Sequence, residues 1–101
     1  MSKDTLALEW LSKHLGQPLT LDDVGYESYV FEGEELDTSL IPNECSSYFK
    51  PDQSVLTYLY AYGDTMVYFF QPLALEVSDV ILVGLLDNFQ LIDYTIMKGD
   101  V

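Results

Sequence analysis

Arginine is absent from this chain, and four lysines face 17 aspartates and glutamates, a formal charge of −13 over 101 residues. A surface so poor in cations has nothing with which to neutralise phosphates, which excludes direct nucleic-acid binding. Cysteine occurs once, at Cys45, so no disulfide can form within the chain, and a reducing compartment, the cytoplasm, is expected. Histidine also occurs once, at His14. One histidine and one cysteine cannot build a zinc site. The adjacent Asp22 and Asp23, with Gly25 at the wrong offset, fail the pattern of a calcium loop. No glycine-rich phosphate loop is present, so neither a metal nor a cofactor is expected. The longest apolar run, Val80–Leu86, is far too short to span a membrane. The amphipathic start after Met1-Ser2-Lys3-Asp4 lacks the apolar core of a signal peptide.

What is present suffices for a folded unit. Apolar residues make up 49% of the chain and aromatics 14%, which excludes disorder by composition and predicts one domain over 1–101. Residues 4–15 read as a helix with Asp4 as N-cap, Leu8, Leu11 and Leu15 on one face beside Ala7, and Gly16 as left-handed C-cap ahead of Pro18. Tyr26–Phe31 reads as a short strand broken by Gly33, and Glu34–Ile41 as a second, short helix ended by Pro42, with Leu36 and Leu40 on a common face. Residues 43–53 read as a polar loop. Four further strands are predicted at Ser54–Tyr62, Phe69–Val77, Asp79–Leu86 and Phe89–Met97, joined by tight turns around Gly63-Asp64, Ser78-Asp79 and Asp87-Asn88. Connections that short require antiparallel neighbours. "VILVGLL" is apolar on both faces and should be central, and Pro72 places its strand at an edge or on a bulge. The expected fold is therefore α+β: a five-stranded antiparallel sheet with two helices in a single domain.

A catalytic reading finds little to stand on. No nucleophile pattern accompanies His14, which reads as a surface residue. Cys45, beside Glu44, lacks the positive surroundings that activate a thiol. Paired carboxylates occur by chance in so acidic a chain and carry no information. The tyrosines of "TYLYAYGDTMVYFF" could suggest a base-stacking platform, but without cations that reading fails; cross-strand pairing on the sheet accounts for them. The chain is expected not to be an enzyme.

The charge itself is unevenly placed. Asp22, Asp23, Glu27, Glu32, Glu34, Glu35 and Asp37 cluster in a region where no lysine or arginine occurs between Lys13 and Lys50. Tyr26, Tyr29, Val30, Phe31, Leu36, Leu40 and Ile41 are threaded among them, so the stretch is acidic and yet built to fold. Self-repulsion on this scale costs stability, and it is tolerated for solubility or for a partner of opposite charge. Basic partners include proteins that themselves bind DNA.

The order of features resembles the uracil-DNA glycosylase inhibitors, and within them the staphylococcal-type branch more than the shorter phage inhibitor. The pieces that carry the resemblance are "YES" at 26–28, "LIP" at 40–42, "TYLYAYGDT" at 57–65, "VILVGLLDN" at 80–88 and "YTIM" at 94–97. They follow a leading helix and cover roughly residues 4–97. Members of that family imitate DNA: carboxylates take the place of phosphates in the basic groove of a base-flipping enzyme, and an apolar pocket receives the side chain that the enzyme wedges into the duplex. The resemblance implies that Glu27 and Ser28 contact the enzyme around its catalytic pocket. Glu32, Glu34, Glu35 and Asp37 would serve as phosphate mimics, although the helix carrying them differs in sequence from its relatives. Leu36, Leu40, Ile41 and Met66 would line the pocket. The implied partner is a uracil-DNA glycosylase, bound one to one, with no direct contact to nucleic acid or membrane. Two alternatives stay open on the residues alone: an acidic DNA mimic or immunity-type inhibitor directed at a nuclease, and a small acidic chaperone or enzyme subunit.

Overall fold

A computed structural model describes residues 2–73 and 80–98. One α-helix, α1 (Lys3–Leu15), precedes five strands: β1 (Gly25–Glu32), β2 (Ser54–Tyr62), β3 (Thr65–Pro72), β4 (Val80–Asp87) and β5 (Gln90–Lys98). The strands form one antiparallel meander in the order β1-β2-β3-β4-β5. The expected five-stranded α+β fold is thus the observed one. Among the described residues no helix is long and apolar enough to cross a membrane.

The N-cap of α1 is Ser2, not Asp4: the Ser2 hydroxyl accepts from the Thr5 amide at 3.1 Å. Asp4 stands in the first turn, where the helix dipole favours it, and its carboxylate accepts a 2.5 Å bond from the Tyr60 hydroxyl. Gly16 ends the helix at φ 70°, with its amide on the Ser12 carbonyl, as the sequence predicts. The packed stripe is Leu6, Ala7, Trp10 and Leu11, rotated away from the predicted Leu8 and Leu15.

Period-2 alternation then sorts the sheet into two faces. Tyr60, Val67, Phe69, Ile81, Val83 and Leu85 meet Ala7 and Leu11 of α1 on one side. Val55, Tyr68, Phe70, Leu82 and Leu86 meet Leu36 and Cys45 on the other. Strands covered on both faces must be apolar throughout, which explains why "VILVGLL" is buried along its whole length. Its one glycine has a specific cause. Tyr68 lies directly opposite Gly84, and a Cβ there would come within 2.2 Å of the Tyr68 ring.

Several expectations are corrected. The stretch Glu34–Ile41 is not an α-helix but two single 3-10 turns, Gly33–Glu35 and Thr38–Leu40. Local side chains stop helix propagation. The Glu35 carboxylate accepts from the Glu32 amide at 2.9 Å, and Asp37, extended at φ −72°, ψ 111°, starts a new turn by accepting from Ser39. Aspartate and serine compete with helical bonding in this way. Residues 43–53 are not wholly loop, since Asn43–Tyr48 is a 3-10 helix with Cys45 buried beneath it. The third strand is β3, Thr65–Pro72, beginning immediately after the two-residue turn at Gly63-Asp64; the predicted span Phe69–Val77 started too late, and its residues 74–77, like the predicted turn at Ser78-Asp79, lie outside the described residues. Pro72 is on the central strand, not an edge. Among the described residues the register with β4 runs from Thr65–Asp87 to Phe70–Leu82, and Pro72 lies beyond it, paired with Val55 of β2. The last turn is Asn88-Phe89, one residue beyond the predicted position.

Candidate functional site

Strand β1 is an edge strand, and its register places the residues that matter. Glu27 lies opposite Leu59, Gly25 opposite Ala61, and Ala61 opposite Met66. All five share the sheet face that α1 leaves free. Ala61 is small where its neighbours in "TYLYAY" are large, and the dent it leaves opens into a pocket of about 330 Å³. Gly25, Tyr26, Glu27, Leu59, Ala61 and Met66 line it. An exposed carboxylate therefore stands at the rim of an apolar pocket. Ser28, also exposed, pairs with Tyr58 and faces the α1 side. The Glu27-Ser28 pair is split across the two faces of the edge.

The other predicted carboxylates follow β1 in chain order. Glu32 accepts from the Ser54 hydroxyl at 3.3 and 3.4 Å, and Glu35 is engaged with the Glu32 amide. Asp37 accepts from the Ser39 amide at 3.0 Å and its hydroxyl at 2.6 Å, and those two bonds hold its carboxyl below the usual aspartate range. Glu34 is exposed. Among the described residues the one histidine or lysine contact to a carboxylate is His14–Asp87, at 2.8 Å, so none of their basic side chains pairs with these groups. His14 is exposed, as expected, but it is tied to the β4–β5 hairpin.

Of Leu36, Leu40, Ile41 and Met66, the structure brings Met66 alone to this cavity. Leu36 is buried with Cys45, Val55 and Tyr68, while Leu40 and Ile41 pack against the same cluster. Met66 and Leu59 border that cluster too, so the pocket is its open end, displaced along the sheet from the acidic turns. Leu36, Leu40 and Ile41 form its packed support. Tyr68 ties this support to the sheet: its hydroxyl donates to the Leu40 carbonyl at 2.5 Å, and burial pushes the phenol's pKa upward. Cys45 is buried, and desolvation followed by the Glu44 charge raises its thiol, which keeps it protonated and unreactive.

Leu59 and Ala61 are pocket residues that sequence reasoning missed, although the small alanine among tyrosines was a usable signal. Phe89 is another missed feature. It is 78% exposed and holds φ 66° at the β4–β5 turn, a left-handed conformation in which a bulky residue is out of place. The Asn88 amide donates to the Asp64 carbonyl, so both hairpin turns stand at the same end of the sheet as the pocket. No group of three or more histidine, cysteine, aspartate or glutamate side chains is placed to hold a metal among the described residues. No protein-family model, curated protein or solved structure matches the chain.

Proposed function

We propose that this protein inhibits a uracil-DNA glycosylase by standing in for DNA, as its resemblance to that inhibitor family implies. The observation that carries the reading is Glu27 at the rim of the apolar pocket formed by Leu59, Ala61 and Met66. A DNA mimic for a base-flipping enzyme has two requirements: charge to occupy the basic groove, and an apolar receptor for the intercalating side chain. On this surface Glu27 joins the two at the pocket, and the acids at 32–37 continue the charge farther along the edge. The exposed acids of residues 22–37 supply the first, and they face the groove without competing cations. The pocket supplies the second, and it has room for one leucine-sized side chain. The protein performs no chemistry in this reading and acts in the cytoplasm.

A nuclease-directed mimic would need the same charge but has no use for the pocket, and a chaperone or subunit needs neither in this arrangement. Calorimetric titration of a bacterial uracil-DNA glycosylase tests the proposal. One molecule should bind per enzyme, in competition with DNA. Glu27→Ala should cost roughly 2–5 kcal/mol of that binding if its carboxylate is desolvated against enzyme donors, a loss of about 30- to several-thousand-fold. Absence of heat at low salt with an active enzyme would remove the reading.

A further inference from the structure

A second cavity lies on the opposite face of the sheet. Helix α1 sits over β3 and leaves the β4–β5 side of its face uncovered, which opens a cleft of about 530 Å³. Trp10, Lys13 and His14 reach it from α1; their i, i+3, i+4 spacing places them on one helix face. Leu85 of β4 and both Ile92 and Asp93 of β5 complete the lining. Consecutive strand residues normally face opposite sides. Here the register breaks opposite Leu85 and Leu86: Leu85 pairs with Asp93 and Leu86 with Leu91, so Ile92 is the extra residue of a bulge. Such bulges re-aim side chains, and this one brings an apolar and an acidic neighbour to the same cleft.

We propose that this cleft binds a small zwitterion with an apolar side chain, such as an aliphatic amino acid. Trp10, Leu85 and Ile92 provide an apolar bed, in a volume typical of small-molecule sites. At the rim, His14 Nε2 is engaged with Asp87 Oδ2 at 2.8 Å, so that pair is taken up within the chain. Lys13 has no ion-pair partner among the described residues and is free to take a carboxylate. Asp93 accepts its own neighbour's amide, from Tyr94, through Oδ1 alone, which leaves its second oxygen for an ammonium group. A ligand carrying only a carboxylate would leave Asp93 without a partner, and one carrying only an ammonium group would leave Lys13 without one. A zwitterion satisfies both rim groups.

Trp10 is the only tryptophan, so its fluorescence reports on this cleft. The titrant is L-leucine, compared with 4-methylpentanoate, which lacks the ammonium group, and with isopentylamine, which lacks the carboxylate. Leucine should change Trp10 emission saturably, and each analogue should bind about tenfold or more weakly, the scale of one lost charge-assisted contact. Lys13→Ala should weaken leucine to the level of isopentylamine without further weakening the amine, and Asp93→Asn should do the converse. Both side chains are exposed, and circular dichroism checks that the variants fold. The absence of a saturable response to leucine would overturn the proposal. So would an analogue that binds as well as leucine, or a folded Lys13→Ala protein that keeps full affinity. Glu27 and its pocket lie on the other sheet face, so the outcome is independent of glycosylase inhibition.

Discussion

Single residues hold this fold in ways that titration and substitution can expose. Tyr60 and Tyr68 are both buried, and burial is the main cause of their raised pKa values, with the Asp4 carboxylate adding to the effect on Tyr60. Above about pH 10, the ordinary tyrosine pKa, an unfolded chain loses these protons while the folded chain keeps them. Their contribution is therefore complete below that pH and is lost as pH rises, with a slope of at most about 1.4 kcal/mol per pH unit for each tyrosine. Urea midpoints measured between neutral and strongly alkaline pH should fall along that slope, and Tyr68→Phe should make it shallower. Phe89 carries a cost of another kind. A left-handed conformation costs a non-glycine residue about 1–2 kcal/mol, whereas glycine's extra chain entropy costs roughly 0.5–1 kcal/mol. Phe89→Gly should therefore raise the urea midpoint, by on the order of 0.5–1 kcal/mol in stability. The sequence pattern points to a turn at Asp87-Asn88, so the strain at Phe89 is visible only in the two-residue loop at Asn88-Phe89.

At the scale of elements, the parts with a strong period were readable and the parts held by specific side-chain bonds were not. Strand β2 matches its predicted span, Ser54–Tyr62, because alternation and the Gly63-Asp64 turn bound it on both sides. The same logic failed for β3, where Met66, Tyr68 and Phe70 serve one face while Val67 and Phe69 serve the other, so no alternation marks its start. The acidic stretch looked helical because Leu36 and Leu40 are four apart. Its conformation is decided instead by Glu35 and Asp37 bonding to nearby amides, which an apolar pattern cannot reveal. The same leucines are expected to line a pocket; in the structure Leu36 is buried and Leu40, partly buried, packs against its cluster. What fastens this segment to the sheet is the bond from Tyr68 to the Leu40 carbonyl, about the only long-range polar tie it has among the bonds described. Tyr68→Phe leaves that carbonyl unpaired and should cost about 1–3 kcal/mol. Hydrogen exchange should then show residues 38–41 opening more readily, while amides of β3 and β4 change only with global stability.

Over the whole molecule, the proposed inhibition combines diffuse charge with one apolar receptor, and salt separates the two. Screening weakens exposed charge pairs beyond roughly 8–10 Å at physiological ionic strength, whereas burying a leucine-sized side chain is worth about 1.5–3 kcal/mol and survives salt. The complex should thus persist in roughly molar salt, conditions under which a groove–DNA complex has dissociated. Ala61→Met should fill the pocket without entering the packed cluster around Leu36. Its complex should form quickly at low salt, steered by the unchanged net charge, and dissociate at high salt. Leu36→Ser would not serve, since it places a hydroxyl in the core and tests folding instead. The overall architecture and its negative charge were legible from composition and strand pattern; the pocket was not, because it depends on which small side chain the register sets beside Glu27. The most direct test of the central claim is release of uracil from DNA by a bacterial uracil-DNA glycosylase as this protein is titrated in. The account predicts that excision stops at about one molecule per enzyme, the one-to-one limit of tight binding, on single- and double-stranded substrates alike. Undiminished release at a several-fold molar excess in low salt would contradict it.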